Sequence, residues 1–404
     1  MTIVLAAFVG LPGCDKPPTW SELVNGKKKE EPPPPKVVAT PAPQAAPVVP
    51  PKAPEKPKRS PQEVIAEFNA MPSQLHTDAQ LGELASLPEA VDQFTELNLS
   101  GSPVSDVGLA YLPRFERVEK LSISGCQFSN TALAGVARMK SLTSLSMDWG
   151  APKDATCDKG LASIKEMHQL TSLSLERANV TMAGLSNVAE MTWLESLNVA
   201  RTRFNDDSLQ LLAPLVNLKE LDISFTTVSD NGFRLLAPFH QLETLNVAGA
   251  PIHGEGLKKL GQAGAAPKLR SLAIYSTALD LTGYEGIFSF RRTLESLDVG
   301  QASLDDNRFI HAVAPLSKLE TLLVHDNPGL TDASMIGWPR LKRLKRLYFF
   351  RNSGISDNTL TQLAKVKSLE SLTLNETACS ERGASLLKRK LKNCEIIFNG
   401  KKIE

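Results

Sequence analysis

The chain has 404 residues, 42% hydrophobic, 22% charged and 6% aromatic, with a net charge of +1. Residues 15–60 carry nine Lys/Arg against five Asp/Glu, which leaves residues 61–404 with 36 basic and 39 acidic side chains, a net of −3 and no sign of the broad basic excess of a nucleic-acid binder. Five cysteines are too few for a disulfide scaffold, and no apolar run approaches the ~18 residues of a spanning helix, which excludes a polytopic membrane protein.

Residues 1–14 open on the apolar run MTIVLAAFVGLPG and end at Cys14, the form of a secretory signal core. Leu11-Pro12-Gly13-Cys14 resembles a bacterial lipobox, although Pro12 and the absence of Lys or Arg before the apolar run depart from that pattern. The resemblance implies export and lipidation of Cys14, and triacyl attachment supplies more than one buried chain, enough for stable anchoring. Residues 15–59 form a Pro/Lys-rich linker, since fourteen of the 27 prolines lie between Pro17 and Pro61. Such a stretch cannot build a core and stays an extended, solvated spacer. Lys27–Lys29, Lys56, Lys58 and Arg59 are candidates for contact with anionic lipid or cell-wall polymer. Solvated charge that keeps a linker extended gives the same composition.

Ser60-Pro61-Gln62-Glu63 is a capping box, with Ser60 as N-cap, Pro at the first helical position and Glu63 at the third. Val64, Ile65 and Phe68 give one apolar face, and Met71-Pro72 stops the helix. Together with the degenerate unit His76–Leu81, residues 60–93 are expected to cap the N-terminal end of a repeat array that begins at Phe94.

Residues 94–393 repeat every 24 or 25 positions, with two longer units. Each unit opens on an apolar residue, with a second three positions on and a third five positions on. The first column runs from Phe94, Val118 and Leu142 to Leu344 and Leu369. The second is Leu in all twelve units, from Leu97 to Leu372, and the third runs from Leu99 to Leu374. This alternation describes a short strand with one buried face. The ninth position holds Ser102, Cys126, Thr202, Thr226, Thr277, Asn327, Asn352 and Thr377, with Ala or Gly elsewhere. The pattern L-x-x-L-x-L-x-x-(N/C/T) resembles the leucine-rich repeat family, of a bacterial or cysteine-containing-like subtype. The resemblance implies an α/β solenoid of about twelve repeats, a curved horseshoe with short parallel inner strands and outer helices.

The second half of each unit is regular too. A capping residue (Ser105, Ser129, Thr181, Asn205, Ser229, Asp280, Asp305, Thr331, Ser356, Ser380) precedes the next apolar run, and only Cys157 and His253 break the column. An acid follows in eight units, among them Asp106, Asp158, Asp332 and Glu381. A ladder of calcium sites is one reading; a carboxylate favoured by the helix dipole in the first turn, by about 0.3–1 kcal/mol, is the stronger one, so no metal is expected. Strands ~4.8 Å apart backed by helices ~10 Å apart force the stack to bend with its strands inside. Residues 394–404 read as a closing strand, Cys394 to Phe398, and a polar tail, Asn399–Glu404.

No nucleophile elbow, zinc-protease motif, phosphate loop or paired C-x-x-C occurs, and the six histidines lie far apart in the chain. No catalytic residue and no cofactor is assigned, and the protein is read as not an enzyme. Cys126 and Cys379 sit in core-facing columns as small hydrophobes; a Cys126–Cys157 bridge is a minor alternative in an oxidising compartment. The exposed inner-face positions lie two, four and six residues after each unit's first apolar residue. Most are small and polar, as at Ser144 and Ser172. Toward the C-terminus they become Tyr275, Leu323, His325, Arg346, Tyr348 and Phe350, with Arg351 just beyond, and aromatic and Arg side chains on a rigid surface are the usual anchors of protein interfaces. Asp148–Asp154 is expected as an insertion where strand passes to helix, with its Trp149 either part of a binding loop or a lid on the core. The basic run Arg340–Arg346 suits an acidic partner or an ordinary solvated turn.

The sequence therefore points to a non-catalytic protein-binding module with an unknown protein ligand, exported and held on the periplasmic or surface side of a bacterial envelope by a lipid anchor and tether. A structural spacer gripping wall polymer through the basic linker is the alternative. A cytosolic substrate-receptor-like adaptor is a third reading, against which the Pro-rich N-terminus counts.

Overall fold

The computed structural model describes residues 59–149, 154–264 and 266–404. The signal, Cys14, the tether and the Lys clusters up to Lys58 lie outside the described residues. Among those described, no helix is long and apolar enough to cross a membrane.

The chain enters the fold through the capping box. Ser60 Oγ accepts from the Glu63 amide at 3.3 Å and Glu63 accepts from the Ser60 amide at 2.8 Å. The helix Pro61–Ala70 buries Val64, Ile65 and Phe68 and ends at Met71, as the sequence predicts. A second capping box, Thr77 with Gln80, opens the helix Asp78–Ala85. The His76 ring stacks on Phe68 at 3.8 Å and its Nε2 lies 3.1 Å from the Phe68 carbonyl.

From there fourteen strands form one open sheet in sequence order, all parallel until the last. The second leucine column sets the register, Leu97 beside Leu121, Leu121 beside Leu145, and so on to Leu372 beside Ile396. All three apolar columns are buried in a single continuous core. Outside the sheet most repeats carry a short α-helix, but Gly232–Leu236 and Asp332–Ile336 are 3₁₀ turns. Shorter outer elements still fit because the inner strands alone fix the repeat spacing.

The acidic column has a definite structural role. Seven of its eight carboxylates, all but Glu381 in the last helix, accept hydrogen bonds from the start of the next repeat's helix. Asp158 takes the Thr181 amide at 2.9 Å and its hydroxyl at 2.6 Å, Asp206 takes Ser229 at 2.8 and 2.6 Å, and Asp357 takes Ser380 at 2.8 and 2.6 Å. Asp78, in the cap, does the same for Ser105 and the Gly108 amide. At His253, which breaks the capping column, Asp230 accepts the amides of His253, Gly254 and Gly256. A glycine at the third helical position makes room: a Cβ at Gly184 or Gly383 would overlap the carboxylate of Asp158 or Asp357. Burial raises the Asp332 carboxyl, yet the Ser356 and Thr359 hydroxyls and the Ser356 amide outweigh it and hold this group below its ordinary range. Among the described residues no cluster of His, Cys, Asp or Glu is placed to hold a metal ion.

The ninth position works in two ways. Thr202, Thr226 and Thr277 donate to a carbonyl three residues back, at 2.5–2.6 Å, within their own repeat. Asn327 and Asn352 reach across repeats: Asn352 Nδ2 donates to the Val324 carbonyl at 2.8 Å and its Oδ1 accepts the Asn327 amide at 3.0 Å.

One expectation needs correction, and one minor alternative is not realised. The tail is not simply polar, because Lys401–Ile403 forms an antiparallel strand against Glu395–Phe398. Asn399 and Gly400, both at positive φ, make the tight turn, and Ile403 closes the core. Cys126 and Cys157 are not bridged: both are free and buried, as are Cys379 and Cys394. Burial pushes the Cys157 thiol up to about 12 and the Cys379 and Cys394 thiols up to about 11, which leaves them unreactive packing groups.

Candidate binding face

Strand alternation puts three side chains per repeat on the inner face, and their chemistry changes along the array. Over the first repeats it is a hydroxyl network. Ser100 pairs with Ser122 at 2.6 Å, Ser124 with Ser146 at 2.7 Å, and Asp148 accepts from Ser146 and Ser174 at 2.9 and 2.5 Å and from the Glu176 amide at 2.9 Å. Asp148 thus sits on the inner face, and the inserted loop begins only after Trp149.

The residue seven places after each unit's first apolar residue sits in the left-handed region throughout. It is Gly at 101, 125 and 249, where no side chain resists that conformation. In four consecutive repeats it is instead Trp149 (φ 70°), Arg177 (56°), Arg201 (57°) and Phe225 (53°), at a cost of about 1–2 kcal/mol each. These side chains meet one another. The Arg177 guanidinium lies 4.7 Å from the Trp149 ring centre and that of Arg201 4.0 Å from the Phe225 ring, while Glu176 approaches Arg201 at 3.4 Å and Arg177 at 3.8 Å. Burial, and then the Asp148 charge, still hold the Glu176 carboxyl above its ordinary range against the two arginines.

The stack continues toward the C-terminus. Phe225 lies over Gly249, where a Cβ would press on its ring, and meets Tyr275 edge-on at 5.8 Å. Tyr275 is 6.0 Å from His325, whose ring covers Gly300. His325 Nδ1 is 3.0 Å from Asp326 and Nε2 3.6 Å from Asp298, whose carboxyl is pushed up by burial. Asp326 takes Arg351 in a bidentate pair at 2.6 and 2.7 Å, and Arg351 stacks on Phe350 at 4.4 Å.

The structure thus brings Tyr275, His325, Phe350 and Arg351 into one ridge. Leu323 and Tyr348 are neighbours in register beside it. All the aromatic members and Leu323 are half-buried rather than fully exposed, because adjacent strands crowd them; Arg346, whose Nε donates to Thr321 Oγ1 at 3.1 Å, and Arg351 are exposed. Trp149 is 58% exposed and is no lid on the core. The basic run is an ordinary turn, with Arg340 donating to the Ile310 carbonyl and Arg343 and Lys345 reaching Glu320. Reading only the alternating positions misses Arg177, Arg201 and Phe225. The signal lies in their column, whose glycines mark a left-handed turn immediately beyond the strand.

A family model described as Leucine Rich repeat matches residues 215–237 and 240–261, which cover two of the twelve repeats whose leucine column sets the sheet register. This is a leucine-rich repeat protein. An internalin of Listeria monocytogenes is similar to it in fold at 18% identity and a TM-score of 0.52, over 79% of this chain and 93% of that one. A second internalin of that organism gives 18% identity and a TM-score of 0.39 over 54% and 88%. The mouse RP105/MD-1 complex gives 18% identity and a TM-score of 0.45 over 78% and 54%. No curated protein matches the chain. The repeat architecture, an open parallel sheet backed by helices, is that of the leucine-rich repeat horseshoe.

Proposed function

We propose that this leucine-rich repeat protein is a non-catalytic protein-binding module, displayed at the cell envelope by a lipidated Cys14 and the Pro-rich tether. Leucine-rich repeat proteins serve as protein-interaction modules. The observation that carries the reading for this chain is the concentration of half-buried aromatic side chains, Tyr275, Tyr348 and Phe350, beside the exposed Arg351, on a rigid inner sheet whose first repeats carry a hydroxyl network. A preorganised surface of that kind binds without a large ordering cost. Affinity capture from envelope extract with the full chain, set against Tyr348→Ala with Phe350→Ala, tests the reading. A partner held by the parent and lost by the variant supports it, and no partner for either refutes it. Failure of Cys14→Ser to alter membrane fractionation would remove the anchor from the proposal.

A further inference from the structure

The outer elements hand the chain back to the sheet through one short turn per repeat, and because the strands are parallel and in sequence order these turns share one rim. Each turn spans the eight residues that end one place past a unit's first apolar residue. The ten turns leading to Phe94 through Leu319 hold eleven Lys/Arg and ten Asp/Glu. The last three, 338–345, 363–370 and 388–395, hold ten Lys/Arg and two acids, Glu370 and Glu395. The helix dipole favours a cation at every one of these ends alike, so it does not account for the change between repeats. Each basic turn is ordinary by itself; their adjacency is not.

Few of these cations are neutralised within the protein. Among the described residues only Arg343 and Lys345 of the ten reach an acid, and both reach Glu320. Arg340 and Lys388 donate to backbone carbonyls and Lys365 to the Gln362 side chain. Glu395 is taken by Lys402 of the closing hairpin. Lys342, Lys367, Arg389, Lys390 and Lys392 are exposed.

Apolar side chains stand among them. The final outer helix, Glu381–Lys390, buries Gly383, Ala384 and Leu387 and leaves Leu386 48% exposed. Arg382, Arg389 and Lys390 lie three or four residues from it, on the same helical face. Ile336, 62% exposed, holds the equivalent place two repeats earlier, just before Arg340. With outer elements ~10 Å apart, the two aliphatic side chains stand about 20 Å apart beside the basic rim. Exposed aliphatic groups set among unpaired Lys and Arg fit a bilayer surface, whose anionic headgroups take the cations and whose acyl boundary takes the apolar tips. A linear polyanion offers nothing to Ile336 and Leu386. The three turns also expose no aromatic ring on which a base could stack, since Trp338 is buried.

We propose that the basic rim of the last three repeats, with Ile336 and Leu386, docks the protein on an anionic lipid bilayer surface. The inference goes beyond the protein-binding reading and uses none of its inner-face residues.

The test uses the full chain carrying Cys14→Ser, so that no acyl chain contributes, and vesicle flotation. The vesicles are phosphatidylcholine alone or with about one-third phosphatidylglycerol. Binding is expected to the anionic vesicles and not to the neutral ones. Lys367→Gln with Arg389→Gln and Lys390→Gln should weaken it at least about tenfold, and Ile336→Ser with Leu386→Ser about threefold. Lys27→Gln with Lys28→Gln and Lys29→Gln removes as many cations from the linker and should leave most of the binding. Circular dichroism melts check that the variants fold. Equal binding by parent and rim variant overturns the proposal, as does equal binding to neutral vesicles, no binding to either, or a loss confined to the linker variant. Unchanged binding by the Ile336/Leu386 variant, or binding of duplex DNA in place of vesicles, would assign the rim to a polyanion and overturn the bilayer as its occupant. Tyr348→Ala with Phe350→Ala should keep vesicle binding in full; its loss there would move the contact to the inner face and overturn the proposal too.

Discussion

The last three repeats and the nine before them share one apolar skeleton but not one stitching. In the earlier repeats the strands are three residues long, as at Ser172–Ser174 and Glu220–Asp222. In the last three they lengthen to five, Thr321–His325, Arg346–Phe350 and Ser371–Asn375. The change coincides with Asn327 and Asn352 in the ninth position. A threonine hydroxyl there closes a turn within its own unit, whereas an asparagine amide, with donors and an acceptor, ties its unit to the preceding one. One atom of extra reach therefore converts a local cap into a bond between neighbours beside two of the three longer strands, while the third, Ser371–Asn375, is followed by Thr377. His325, Tyr348 and Phe350 of the inner face stand on those longer strands.

Removing the stitches should separate the two regions most. Asn352→Ala takes the acceptor from the buried Asn327 amide and a donor from the Val324 carbonyl, a loss of about 3 kcal/mol. Thr226→Ala in the earlier region should cost about 1 kcal/mol. Chemical denaturation of both variants measures the contrast, and equal losses would break the comparison. Next in size, Gly383→Ala forces a methyl group into the Asp357 carboxylate and should cost about 1–3 kcal/mol. A double-mutant cycle with Asp357→Ala should recover much of that loss if the acid is the obstacle. The smallest effect concerns Asp298, where the two regions meet. Burial raises its folded pKa above the unfolded value, so its charge costs stability at high pH and the cost disappears as pH falls through the folded pKa. Asp298→Asn should therefore raise the melting temperature more at pH 8 than at pH 5. A gain that is independent of pH would show that the carboxylate is already compensated.

The repeat count, the strand register, the Ser60 cap and the burial of Cys126 and Cys379 were all legible, because each follows from side-chain type at a fixed spacing. The candidate site was legible only in part. Tyr275, His325, Tyr348 and Phe350 fall on alternating positions, and alternation finds them. Arg177, Arg201 and Phe225 lie one residue past the alternation, at a backbone turn whose handedness brings them back onto the face. The closing hairpin was signalled by Asn399-Gly400 and escaped a reading that weighed polarity above turn chemistry.

The carboxylates that run from one unit to the next give the array a directional bias. In seven units, from Asp106 to Asp357, the acid accepts from the helix start of the unit that follows, whereas Asp154 and Asn352 accept in the opposite direction, from the Asn130 and Asn327 amides. Deleting units from the front strips the newly exposed helix start of its acceptor wherever the lost unit carried the acid. Asp78 supplies the first acceptor from outside the twelve repeats, so the N-terminal cap closes the array by the same bond that most of its units use between themselves.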